Sequence, residues 1–121
     1  MIQLNLTEKN KQIHFSYKGK YIVFFEGVRY ASNKGNFRVE IKSNKTDKLV
    51  KVKVPFLKSS EGNLFNGRIH YAYIEIPEIG DYTINFINIE DLKISNNIIW
   101  PLWFILPSSV NPNRVLVEIG R

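Results

Sequence analysis

Apolar and polar residues alternate along residues 36–56, and this alternation constrains the fold more than any other feature of the chain. A period of two is typical of a β-strand that buries one face. We therefore predict a hairpin in which strands 36–42 and 48–56 are joined by the polar turn 43–47. Its predicted buried face comprises Phe37, Val39, Ile41, Val50, Val52, Val54 and Phe56.

No segment repeats apolar residues at intervals of three and four over ten or more positions, as an amphipathic helix requires. Short strands are predicted instead at 2–6, 12–17, 21–30, 68–76, 81–88, 98–106 and 114–119. Segment 88–97 is predicted to hold a helical turn or a short strand at 92–94. A length of 121 residues fits one domain. We predict an all-β chain in which residues 1–121 form a single two-sheet antiparallel sandwich of jelly-roll or immunoglobulin-like topology.

Residues 68–88 give a second hairpin prediction, because a Pro77–Gly80 turn joins strand 68–76 to the alternating Tyr82, Ile84 and Phe86. The run 74–88 resembles the late hairpin of many β-sandwich interaction domains. The resemblance covers fifteen residues and is shared by unrelated families. It implies a sandwich fold and carries no function.

Positive charge is concentrated on the first hairpin. Residues 34–58 hold eight Lys or Arg against two acids, so their net charge of +6 equals that of the whole chain. The face opposite the valines presents Arg38, Lys42, Lys51 and Lys53, and such a face steers acidic partners. An alternative without a partner is a solvated sheet face whose lysines prevent edge-to-edge aggregation.

The composition of that face indicates the kind of partner. It carries no aromatic residue for base stacking. Over residues 34–58 lysine outnumbers arginine seven to one, whereas bidentate phosphate recognition favours arginine. We therefore predict a non-catalytic module that binds an acidic protein surface, with the phosphate backbone of a nucleic acid as the alternative.

Two tyrosines suggest another function. Ala72, Ile74 and Ile76 supply the buried face of strand 68–76, so Tyr71 and Tyr73 are predicted to point outward. Exposed tyrosine rings can stack on sugars, which makes a carbohydrate-binding β-sandwich the second hypothesis. Trp100 and Trp103 lie in an apolar run, and we expect them in the core.

Catalytic and metal-binding patterns are absent from the sequence. It has no G-x-S-x-G, H-E-x-x-H, phosphate-binding Gly-rich or EF-hand motif. The absence of cysteine excludes disulfides and thiolate catalysis. We predict no enzyme activity, no cofactor and no metal, with an enzyme of unrecognised cleft as the third hypothesis. The groups considered for catalysis were two histidines and two carboxylate pairs: His14, His70, Glu75/Glu78 and Glu90/Asp91.

Membrane and export signals are also absent. The longest apolar run, 98–106, is much shorter than the ~18–20 residues of a membrane helix. Residues 1–6 lack the basic start and the long apolar core of a signal peptide. We expect no membrane span and a cytoplasmic location, unless a leader has been removed.

Overall fold

The fold is a set of antiparallel strands seen in a computed structural model, which describes residues 2–28, 30–33, 35–55, 60–62, 67–95 and 112–121. Within these ranges two single-turn 3-10 helices, Ile89–Asp91 and Pro112–Arg114, accompany the strands. The strands are β1 (Ile2–Asn5), β2 (Lys11–Phe15), β3 (Gly19–Glu26), β4 (Tyr30–Asn33), β5 (Arg38–Ser43), β6 (Val52–Lys53), β7 (Ser60–Gly62), β8 (Gly67–Ile76), β9 (Gly80–Ile87), β10 (Leu92–Ser95) and β11 (Leu116–Gly120).

Two sheets pack face to face. The larger sheet has the order β1-β11-β3-β8-β6, and β7 also pairs with β8. The smaller sheet has the order β2-β9-β5, and β10 pairs with β4 in a separate ribbon. Every pairing between these strands is antiparallel. The predicted all-β, two-sheet antiparallel sandwich is confirmed.

The core lies between the sheets and takes alternate residues from each strand. Burying one such large apolar side chain is worth about 1.5–3 kcal/mol. Aromatic rings fill its centre: Phe25 stacks on Tyr71 with the ring centroids 4.5 Å apart, and Phe15 meets the edges of Tyr21 and Tyr82. The largest fully buried side chains are Tyr82, Phe15, Phe25, Leu6, Ile41, Ile69, Ile76, Ile84, Ile119, Val23, Val28 and Val115.

Strand positions agree well with the sequence predictions. β8 and β9 lie where strands 68–76 and 81–88 were predicted, and Tyr82, Ile84 and Phe86 point inward. Segment 88–97 contains both predicted alternatives, a 3-10 turn followed by β10. The predicted strand 98–106, with Trp100 and Trp103, lies outside the described residues.

Strand pairings differ from the prediction, because strands that follow each other in the chain often belong to opposite sheets. β1 leads to β2, β2 to β3, and β8 to β9 across the core. The predicted hairpin over 68–88 is therefore wrong as a pairing, although both strands exist. Each strand has one apolar face, and a turn that carries the chain to the other sheet buries the two apolar faces against each other.

Candidate binding surfaces

The predicted basic hairpin over 36–56 divides between the two sheets. Near the turn the chain pairs with itself, since Val50 N donates to the Ile41 carbonyl oxygen at 2.7 Å. Beyond Val50 the chain crosses, and Val52 pairs with Ile74 in the larger sheet. Val54, predicted to be inward, is 49% exposed. The hairpin prediction is therefore correct only close to the turn.

The prediction of a single basic face containing Arg38, Lys42, Lys51 and Lys53 is therefore wrong. Arg38 and Lys42 lie on β5 in the smaller sheet. Lys53 lies on β6 in the larger sheet, opposite Tyr73, and Lys51 lies in the crossing just before β6. Alternation shows which residues of a strand share a side, but it does not show which sheet the strand joins.

The crossing carries a series of lysines from the smaller sheet to the larger one. β5 and β6 are the terminal strands of their sheets, so the segment that joins them runs along an open edge. All five lysines of residues 42–53 are exposed, against one aspartate, and the net charge of this segment is +4. We call these lysines the basic edge: Lys42, Lys45, Lys48, Lys51 and Lys53.

Local acids neutralise the basic residues nearest the smaller sheet. Arg38 Nε lies 3.6 Å from Glu40 Oε2, and Lys42 Nζ lies 3.7 Å from Asp47 Oδ1. Exposed pairs of this kind contribute about 0–1 kcal/mol. Within the described residues, the other four lysines of the basic edge form no ion pair.

The two tyrosines considered for carbohydrate binding have opposite environments. Tyr71 is 2% exposed, and its ring packs between Phe25 and Phe37, so its predicted outward position is wrong. A β-bulge is the cause: the pairing of β3 with β8 shifts between Val23 and Phe24, and Tyr71 is the unpaired extra residue. Burial raises the pKa of Tyr71 to about 12. Tyr73 is outward, as predicted, and 40% exposed.

The outer face of the smaller sheet holds an open groove of about 560 Å³. Asn10, Glu40, Asn44, Thr83 and Asn85 line it, and we call it the polar groove. Lys42, Asp47 and Leu49 border it on the side of the β5–β6 turn. Sequence reasoning missed this site, although the polar positions that alternate along β2 and β9 were its signal.

Hydrogen bonds between side chains connect the strands beneath the groove. Gln12 Nε2 donates to Thr83 Oγ1 at 2.9 Å, Thr83 Oγ1 donates to Asn44 Oδ1 at 2.7 Å, and Asn44 Nδ2 donates to Gln12 Oε1 at 2.5 Å. These three residues form a closed ring. Asn85 Nδ2 donates to Asn10 Oδ1 at 3.0 Å, while Asn10 N donates to Asn85 Oδ1 at 2.6 Å.

The histidines lie on different sheets. His14 is exposed and its Nδ1 lies 2.8 Å from Asp81 Oδ1. His70 packs against the ring of Phe24 on the outer face of the larger sheet. Among the described residues, no group of three or more His, Asp or Glu could hold a metal ion.

The predicted carboxylate pairs flank turns. Glu75 and Glu78 are exposed. Asp91 Oδ2 accepts a hydrogen bond from Asn36 N at 2.8 Å, and this contact fixes the entry to β5. This hydrogen bond gives Asp91 a structural role. A Cβ added at Gly35 would lie 2.7 Å from Asp91 Oδ2.

A charged cluster on the larger sheet was not predicted. Arg68 Nη2 lies 3.7 Å from Glu118 Oε2, and Arg68 Nε lies 3.5 Å from Glu26 Oε1. Gln3 Nε2 also donates to Glu118 Oε1, at 2.9 Å. The Arg68 guanidinium lies 3.7 Å from the centroid of the Phe24 ring. The cluster joins β1, β11, β3 and β8, and its strands are far apart in sequence.

Comparisons with known proteins add no assignment. No protein-family model matches the chain, and neither the curated proteins nor the solved structures contain a match to it. In the described ranges, no helix has the length and apolar character needed to cross a membrane.

Proposed function

We propose that this protein is a non-catalytic binding module that recognises an acidic protein surface through the basic edge. The observation that carries the proposal is the row of exposed lysines where the chain passes from β5 to β6. The proposed binding surface is a ridge along the basic edge and not the flat basic face predicted from the sequence. Lys51 and Lys53 remain part of it, and Arg38 is set apart by its contact with Glu40.

The electrostatics of the ridge support recognition of an acidic partner. Two or more lysines of like charge in a short stretch repel each other, and a row of carboxylates relieves that repulsion. Such complementarity raises the association rate and is weakened by salt. Lysine is a point charge with three rotatable donors, which suits irregularly spaced carboxylates better than it suits bidentate phosphate binding.

The strand order supports a jelly-roll assignment within the sandwich class. The order β1-β11-β3-β8 faces β2-β9-β5, and the chain alternates between these sheets. Jelly rolls commonly serve as binding domains. The absence of cysteine is compatible with a reducing compartment, so we seek the partner first among cytoplasmic proteins.

Charge reversal tests the proposal. The Lys51→Glu/Lys53→Glu variant should lose at least about tenfold in affinity for a glutamate-rich peptide, because it turns two attractions into two repulsions. Its matched control is Lys9→Glu/Lys18→Glu, which has the same net charge but alters exposed lysines on other turns. Isothermal titration calorimetry at about 50 mM and about 300 mM salt provides the measurement.

The two variants separate a located surface from the general charge of the protein. If both lose affinity equally, the basic edge has no special role and the proposal fails. If the first variant aggregates without losing affinity, the lysines serve only to protect the sheet edge. A single-stranded oligonucleotide that binds more tightly than the peptide would reassign the partner.

A further inference from the structure

We propose that the polar groove binds a neutral carbohydrate through amide and hydroxyl groups on the outer face of the smaller sheet. This site is separate from the one predicted at Tyr71 and Tyr73, which belong to the larger sheet. It also goes beyond recognition of an acidic protein, because the ligand class and most of the residues differ.

The side chains of the polar groove are held in place before any ligand arrives. The closed ring of Gln12, Thr83 and Asn44 fixes the planes of two amides and the rotor of one hydroxyl. The reciprocal contacts of Asn10 with Asn85 fix two more amides. A site held in this way loses little side-chain entropy on binding.

The amide side chains of the groove also retain unused hydrogen-bonding capacity. Each amide nitrogen carries two hydrogens and each amide oxygen two lone pairs. Gln12, Asn44 and Asn85 each use one amide hydrogen within the network. Asn44 and Asn85 line the groove with Glu40, so their second amide hydrogens supply donors near a carboxylate acceptor. Sugar hydroxyls need this mixture, because each both donates and accepts.

Charge and shape at the border favour a neutral ligand. Glu40 lies 3.6 Å from Arg38, and Asp47 lies 3.7 Å from Lys42, so both acids of the groove are balanced by bases. The groove therefore has no excess charge that would select an ion. Leu49 is 62% exposed at the border and offers an apolar surface to the C–H face of a sugar ring. The volume, about 560 Å³, falls within the range of small-molecule sites.

The expected affinity is low. None of the described residues that line the groove is aromatic, so ring stacking does not contribute. Hydrogen bonds that replace bonds to water give modest net gains. We expect a dissociation constant of about 1 mM for a single short oligosaccharide.

Nuclear magnetic resonance can detect binding at this strength. Neutral gluco-, xylo-, manno- and N-acetylglucosamine oligomers are added to ¹⁵N-labelled protein up to about 10 mM, well above the expected dissociation constant. At least one series should saturate and shift the amide signals of Gln12, Asn44, Thr83 and Asn85. High salt should leave this binding unchanged, because no ionic contact is used.

Two variants locate the site. Thr83→Val keeps the strand-forming shape but opens the hydrogen-bond ring, and Asn44→Ala removes an amide from a turn residue that is exposed. Each should weaken sugar binding at least tenfold while leaving the binding of the glutamate-rich peptide unchanged. Lys51→Glu/Lys53→Glu is the matched control and should bind the sugar like the unaltered protein.

The outcomes distinguish this proposal from the previous one. Failure of every neutral series to shift the groove signals overturns the carbohydrate site but leaves the basic edge untouched. Shifts centred on Tyr73, unaltered sugar binding by both groove variants, or tighter binding of an acidic oligosaccharide would each overturn it as well.

Discussion

Replacing Tyr71 by alanine tests the β-bulge that separates this tyrosine from Tyr73. Tyr71 is 2% exposed, and its ring lies 4.5 Å from that of Phe25 and 5.7 Å from that of Phe37. Truncating a buried aromatic residue to alanine costs about 3–5 kcal/mol. The whole stability of a chain of 121 residues is about 6–18 kcal/mol, so the variant should still fold.

Tyr73→Ala is the control for the same chemical change on the same strand. Tyr73 is 40% exposed, so its truncation should cost about 1 kcal/mol, mainly through lost strand propensity. Urea unfolding followed by circular dichroism measures both. With a slope near 2 kcal/mol per molar, the Tyr71→Ala midpoint should be about 2 M below that of the unaltered protein. Equal destabilisation by the two variants would refute the inward position of Tyr71.

Three further predictions concern other contacts. The pKa of Tyr71 is about 12 in the folded state and about 10 in the unfolded state, so only the unfolded state ionises in between. The contribution of Tyr71 to stability is therefore complete below pH 10 and falls by about 2–3 kcal/mol as the pH rises to 12. Urea unfolding measures this loss, and the Tyr71→Phe variant should not show it. Gly35→Ala should lower the unfolding free energy by about 1–3 kcal/mol, because the added Cβ displaces Asp91 from the Asn36 amide. In an Asp91→Ala background the same change should cost clearly less, and a double-mutant cycle of unfolding free energies measures the difference. Lys51→Glu/Lys53→Glu should change the unfolding free energy by less than about 1 kcal/mol, because both side chains are exposed, and a larger loss would mean that they have a structural role.

Strand positions could be predicted because burial on one face leaves a period of two in the sequence. Val39, Ile41, Ile74, Ile84 and Phe86 all point inward as their alternation indicates. The two-sheet antiparallel class followed from many short strands separated by turn residues. These features are local, and each is written in a few neighbouring residues.

Pairing could not be predicted in the same way. A polar turn between two alternating strands is compatible with a hairpin within one sheet and with a crossing between sheets, because both bury the same side chains. Val50 and Val52 both pack against the core, yet the chain passes from one sheet to the other between them. The prediction of a single basic face failed for this reason, since Lys42 and Lys53 belong to different sheets.

The bulge at Tyr71 is a second feature that the sequence alone could not predict. The inserted residue reverses the alternation, so Tyr71 and Ala72 are both buried although they are adjacent. Only the partner strand, about fifty residues earlier in the sequence, reveals the shift in register. The polar groove is likewise assembled from Asn10 before β2, from β5 and β9 and from the β5–β6 turn, and its residues become neighbours only after folding.

Mapping where an acidic ligand binds shows whether positive charge acts as one ridge along the β5–β6 crossing. A glutamate-rich peptide is titrated into ¹⁵N-labelled protein, and the shifts of backbone amide signals are followed. The account predicts that the largest shifts fall within residues 45–53 and decline as salt is added. Shifts centred on the turns that carry Lys9 and Lys18, or spread evenly over all exposed lysines, would contradict it.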